Sequence, residues 1–181
     1  MSFTFTKLNQ KSDLDMTVFS QLFQESFTHL DRNYPWTVHG LSASSSYDEK
    51  FSHIRLKYHH AARNPQQFLV WKEEKDGKII GYHWGELGLN RSTGRTLLYW
   101  NSSLYGPDAN GSKAYLHSTE YTQAGIAFWN SLDIYSLRMT FSDFDADNTI
   151  YQNAANRKNL VVAEGGGTIV EADDSSMTWT F

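Results

Sequence analysis

Pro107-Asp108-Ala109-Asn110-Gly111-Ser112 is the stretch whose reading decides the fold. It is a polar, glycine-bearing turn. It follows Thr96-Leu97-Leu98-Tyr99-Trp100-Asn101-Ser102-Ser103-Leu104-Tyr105, the longest strand candidate. It precedes a segment, Ser112 to Ser131, in which Leu116, Ala124, Ala127 and Phe128 fall at inward helical positions. A turn that opens a helix straight after a strand makes an anion site, because the first helical amides have no internal partner. The pattern recurs further on. Ser136-Leu137-Arg138-Met139-Thr140-Phe141 reads as a strand, and Asp147-Asn148-Thr149 opens a helix from Asn148 to Asn159.

Outward from these units the rest of the chain reads as follows. Phe3-Thr4-Phe5-Thr6-Lys7-Leu8 alternates at period two and predicts a half-buried strand. Ser12 is the expected N-cap of a helix that carries Leu14, Val18, Phe19, Leu22, Phe23, Phe27 and Leu30 on its apolar side and ends near Asp31. Ser46-Tyr47-Asp48-Glu49 is a capping box, and Phe51, Ile54, Tyr58 and Ala61 continue a second helix to Asn64-Pro65. Asp76-Gly77 predicts a tight hairpin between Phe68–Lys72 and Ile79–Trp84. Gly165-Gly166-Gly167 is expected to be a turn. Thr168–Glu171 and Met177–Phe181 form a last hairpin around Asp173-Asp174-Ser175-Ser176. The order is strand, two helices, three strands, helix, strand, helix, two strands. With no linker and no repeat, residues 1–181 are expected to be a single domain.

Composition excludes several classes. The chain has no cysteine, so thiolate catalysis, disulfides and zinc–thiolate sites are absent. A net charge of -4 gives no general affinity for nucleic acid. No apolar run is long enough for a membrane span, and the start of the chain lacks the pattern of a signal peptide, so the expected compartment is the cytoplasm. No metal is expected. His53, His59 and His60 lack the i, i+3 or i, i+4 spacing of helical ligands, and Asp143, Asp145 and Asp147 lack the glycine and terminal glutamate of a calcium loop. Whether the chain forms a homodimer is left open by the sequence.

The element order resembles the GNAT superfamily of N-acyltransferases over nearly the whole chain. The resemblance implies an α/β fold, with a mixed, twisted sheet of about seven strands and helices on both faces. It also implies a parallel strand pair that splays apart at Ser103–Gly106. The implied activity is transfer of an acyl group from acetyl-CoA or another acyl-CoA to a primary amine of a small molecule or peptide, by direct attack. The alternative is a GNAT-fold binding module, without catalysis, for a small ligand or a protein partner. By position, the main chain of Ser103, Leu104 and Tyr105 would hold the pantetheine arm. The turn at Asn110, Gly111, Ser112, Lys113 and Ala114 would meet the pyrophosphate. The family's phosphate loop reads Arg/Gln-x-x-Gly-x-Gly/Ala, and its three marked positions fall here on Asn110, Lys113 and Tyr115.

In the last helix, Asn148 fits the family's asparagine position and the tyrosine position falls on Ala155. Tyr151, one turn earlier, is the candidate general acid. Candidate bases are Glu86 and His83. They are three residues apart on a strand and so face opposite sides. Tyr34, Trp36 and His39 lie between the first two helices, where the family often covers the acceptor. They read equally well as a hydrophobic staple fixing the helix entry.

Overall fold

The computed structural model describes residues 2–140, 156, 159–165, 167–172 and 176–181. Strand β1 (Phe3–Leu8) leads through a short 3-10 turn, Lys11–Asp13, into helix α1 (Met16–Asn33). The cap of α1 is Asp15 and not Ser12: the Asp15 carboxylate accepts from the amides of Thr17 and Val18. Its own amide donates to the Tyr82 hydroxyl at 3.0 Å, so a contact from the sheet selects the cap. A turn, Trp36–His39, precedes helix α2 (Tyr47–Arg63). There the Ser46–Glu49 capping box forms as the sequence predicts.

Strands β2 (Phe68–Lys75) and β3 (Lys78–Asn90) then pair as a hairpin. Asp76 and Gly77 both take positive φ, 51° and 84°, as a two-residue hairpin turn of this hand demands. Strand β4 (Arg95–Tyr105), helix α3 (Thr119–Ser131) and strand β5 (Ile134–Thr140) follow, and β6 (Thr168–Ala172) and β7 (Ser176–Thr180) close the chain. Residues 159–165 are helical, so the run of glycines expected to be a turn begins inside a helix.

The strands form one mixed sheet in the order β1-β2-β3-β4-β5-β7-β6. Only β4 and β5 run parallel among the described pairs. Helices α1 and α2 cover one face, packing Phe19, Leu22, Phe23, Ile54 and Tyr58 on Val70, Tyr82 and Leu104. Helix α3 covers the other face, where Trp129 meets Trp71, Leu98, Trp100 and Leu137. The inward face of α3 is Tyr121, Gly125 and Trp129, while Ala127, expected to point inward, is exposed. The shift follows from where the helix starts. Instead of a single helix from Ser112, the chain makes a 3-10 turn, Ala114–His117, and restarts α3 at Thr119, with the Ser118 hydroxyl capping the amide of Tyr121.

Two irregularities shape the sheet where β4 leaves β5. Glu73 is registered against Gly81 but Glu74 against Ile79, which makes Ile80 an extra residue in β3. Trp84 faces Ser102 but Gly85 faces Trp100, which makes Asn101 an extra residue in β4. Parallel pairing with β5 ends at Tyr99–Arg138, just before that bulge. The strands therefore part from Trp100 onward, earlier than the expected Ser103–Gly106, because the bulge at Asn101 bends β4 away.

Candidate active site

Beyond Tyr99, β4 keeps β3 as its only described strand partner. The three residues expected to offer main-chain groups there differ in availability. Leu104 is registered against Tyr82 and its side chain lies fully buried in the α1–α2 core. Tyr105 is engaged by α1: the Ser26 hydroxyl accepts from the Tyr105 amide at 2.9 Å and donates to its carbonyl at 3.0 Å. Ser103, the first of the three, is half-buried and turns its side chain to the α3 face.

Behind Ser103 lies a polar network built from three adjacent strands and α3. His83 Nδ1 is 2.9 Å from Ser103 Oγ, and Trp100 Nε1 donates to the same oxygen at 2.7 Å. On the far side of the imidazole, Nε2 lies 3.0 Å from Glu73 Oε1, a close approach without the alignment of a hydrogen bond. Trp71 Nε1 donates to Glu73 Oε2 at 2.9 Å, and the Tyr121 hydroxyl donates to Oε1. His83 and Glu73 are both 0% exposed. The imidazole stacks on Trp71 at 5.0 Å between centroids. Space for it depends on Gly81, since a Cβ there would lie 2.6 Å from His83 Nε2.

Burial alone would push the Glu73 carboxyl up. The pull of His83 and the donors Tyr121 and Trp71 outweigh it and hold Glu73 below the usual carboxylate range. Burial, reinforced by the Glu73 charge, raises the Tyr121 hydroxyl well above its ordinary value. Beside the network is a cavity of about 20 Å³, walled by Phe5, Trp100, Tyr105, Leu116, Tyr121 and Trp129 among others. It is large enough for about one water or a methyl group.

Of the two base candidates, the structure brings His83 into this network and leaves Glu86 exposed on the opposite face, registered against Tyr99 and Phe68. Sequence reasoning missed Glu73. The signal was present: Trp71 and Glu73 alternate on β2, so a strand that buries the tryptophan buries the glutamate too. Tyr121 was hidden by the wrong helix phase. Tyr151 and Asn148 lie outside the described residues.

In the polar turn the amides of Asn110, Gly111, Ser112 and Ala114 are already bonded within the turn. Asp108 Oδ1 accepts from the amides of Asn110, at 2.9 Å, and Ser112, at 3.1 Å. The Gly111 amide bonds the Asp108 carbonyl, and the Ala114 amide bonds Ser112 Oγ. Asp108 Oδ2 pairs with Lys75 Nζ at 2.6 Å, and this contact, with the amides, lowers the carboxyl's pKa. The chain's own carboxylate thus takes amides that the sequence offers to an anion, so a pyrophosphate on Gly111 to Ala114 would have to compete with Asp108 for them. The positive φ of the turn, 76°, belongs to Gly111, and Lys113 has an ordinary φ of -102°. Tyr115 is buried and donates to the Gly106 carbonyl at 2.7 Å, away from the turn's rim.

Tyr34, Trp36 and His39 do come together. Tyr34 lies 4.5 Å from Trp36 and stacks on His39 at 5.2 Å, with its hydroxyl 2.8 Å from His53 Nε2. Burial pushes the Tyr34 hydroxyl up to about 12 and lowers His39 and His53. Trp36 is 4% exposed and donates to the Asp31 carbonyl, while Lys50 reaches Asp31 at 2.5 Å. The arrangement ties the end of α1 to α2. Among the described residues no three acidic or histidine side chains converge on a metal site, and no helix is long and apolar enough to cross a membrane.

No protein-family model matches the sequence, and no curated protein matches it. Solved structures do. Aminoglycoside acetyltransferase AAC(6')-Ib, in complex with coenzyme A and kanamycin, superposes with a TM-score of 0.59 at 12% identity, covering 99% of this chain and 95% of that one. The chain has the fold of the GNAT acetyltransferases. RimJ of Mycobacterium smegmatis, in complex with CoA-disulfide, gives a TM-score of 0.56 at 12% identity over 99% and 81% of the two chains. A Salmonella typhimurium acetyltransferase that modifies the N-terminal serine of a 50S ribosomal subunit protein gives 0.52 at 11% identity over 99% and 94%. The GNAT neighbours include several crystallised with coenzyme A or acetyl-CoA.

Proposed function

We propose that this chain is an acyl-CoA-dependent N-acyltransferase acting on a primary amine of a small molecule or peptide. The observation that carries the reading is the gap between β4 and β5, with Ser103 at its edge and the buried His83–Glu73 pair behind. A thioester lying in that gap brings its carbonyl beside Ser103. An amine must lose a proton to become acylated, and His83 Nδ1 takes it by way of Ser103 Oγ. Glu73 stabilises the imidazolium that results. Because Asp108 fills the turn, the donor is held by its thioester and pantetheine end, and any help to its phosphates comes from side chains such as Lys113. The neighbours named for aminoglycoside and ribosomal-protein substrates support an amine acceptor of either size. The acceptor lies over the α1–α2 side, near Tyr34 and His39, in this reading.

The test is thiol release from acetyl-CoA in the presence of a panel of primary amines. Release that depends on the amine, and that falls about 10²–10⁴-fold in His83→Gln, is the expected result. Calorimetry that detects no acetyl-CoA binding at millimolar concentration, together with no release, would overturn the reading in favour of a binding module without catalysis.

A further inference from the structure

We propose that Glu86, bordered by the rings of Phe68, Trp84 and Tyr99, binds a second cationic group of the acceptor, so that the substrate is a primary amine with an organic ammonium at its far end. The register of the sheet builds this arrangement. Glu86 stands directly opposite Phe68 on β2 and directly opposite Tyr99 on β4. Trp84, two residues back on β3, points to the same face. Directly opposed side chains have Cβ atoms about 4.5–5.5 Å apart, so rings border the carboxylate on three sides. A carboxylate among aromatic faces suits an alkylated ammonium, which gains from both the charge and the ring quadrupoles.

Exposure separates this patch from core packing. Phe68 and Trp84 are half-buried and pack on the edge of the α1–α2 core, which stops there. Glu86 is exposed, and Tyr99 is 38% exposed although it lies on a central strand. The Tyr99 ring lies over Gly88, where a Cβ would come 2.8 Å from Tyr99 Cε2, so the glycine lets the ring lie down on the sheet. Among the described residues no ion pair occupies Glu86. The nearest cation in the same row, Arg138, stands beyond Tyr99 and bonds Thr178 on β7, the strand on its far side from Glu86.

The position of the patch sets the length of the acceptor. Parallel pairing ends at Tyr99, and the gap opens from there toward Ser103. Four residues of strand separate Tyr99 from Ser103, roughly 13 Å at full extension, and the bulge at Asn101 shortens the path. A cation held at Glu86 thus lies on the order of 10 Å from a thioester beside Ser103. Glu86 is too far away to take the reacting amine's proton, and it binds a different nitrogen from the one acylated.

The inference rests on the acyl-transfer reading for the reacting nitrogen, so binding and turnover are measured separately. The probe is aminooctyl-trimethylammonium, compared with its neutral isostere, in which carbon replaces the quaternary nitrogen. In calorimetry without acetyl-CoA the charged probe should bind about 3–30-fold tighter than the isostere. Glu86→Gln and Tyr99→Leu, each checked for fold by circular dichroism, should narrow that gap. In thiol release from acetyl-CoA, kcat/KM should favour the charged probe by a similar factor. Aminoethyl-trimethylammonium is too short to span the distance and should gain no such advantage. Equal binding of the charged probe and the isostere, or a preference that survives intact in folded Glu86→Gln, would overturn the proposal. Thiol release with plain alkylamines and no preference for the charged probe would sink the second cation site and spare the acyltransferase. A charge preference in binding without any thiol release would do the reverse.

Discussion

Tyr121→Phe removes one hydroxyl and keeps the ring. The lost group donates to Glu73 Oε1 in a site where the carboxylate is 0% exposed and the tyrosine 9%. A hydrogen bond to a charged partner contributes about 1.5–3 kcal/mol. For a domain of this size that corresponds to a melting temperature lower by about 3–12 °C. The pH dependence is more specific than the size. Glu73 titrates below its ordinary range in the folded protein. Its contribution is therefore complete above the unfolded carboxylate pKa of about 4.3 and is lost as pH falls through the lower folded value. Tyr121→Phe raises that folded value. The stability difference between parent and variant, measured by urea unfolding, should be largest at neutral pH. It should shrink to about 0.5–1.5 kcal/mol once the carboxyl is neutral in both. A difference that stays constant or grows on acidification would show that Glu73 is not the charged centre of the network.

Other substitutions probe separate parts of the account. Ser26→Ala removes the hydroxyl that bonds both main-chain groups of Tyr105, and a cost of about 1–3 kcal/mol is expected in chemical unfolding. Gly81→Ala places a methyl 2.6 Å from His83 Nε2. The displaced imidazole should cost about 1–3 kcal/mol and slow amine-dependent thiol release from acetyl-CoA. Ser46→Ala deletes the α2 cap. It should cost about 1 kcal/mol and leave that release unchanged, because the cap lies outside the network.

Local signals carried much of the fold. The Asp76-Gly77 turn and the Ser46–Glu49 box are satisfied within a few residues, so the sequence states them outright. Where two local solutions competed, a distant contact chose. Ser12 and Asp15 are both fit to cap α1, and the bond from Asp15 to the Tyr82 hydroxyl in β3 decides between them. The polar turn misled for a related reason. A strand–turn–helix order leaves amides open only if no nearby side chain takes them, and Asp108 takes those of Asn110 and Ser112. Of the site, His83 was legible as a candidate, but its partners were not. The extra residue at Ile80 shifts β3 against β2. Glu73, Gly81 and His83 come together only through that shift, which no local pattern announces.

In the proposed function the gap between β4 and β5 receives a thioester donor beside Ser103. The most direct measurement is a crystal structure of the protein soaked with coenzyme A. The thiol end is expected in the gap, in contact with Ser103, with the pyrophosphate clear of the Asp108 turn and that turn's internal bonds intact. A pyrophosphate seated on the amides of Gly111 to Ala114 with Asp108 displaced, or coenzyme A bound away from the gap, would contradict it.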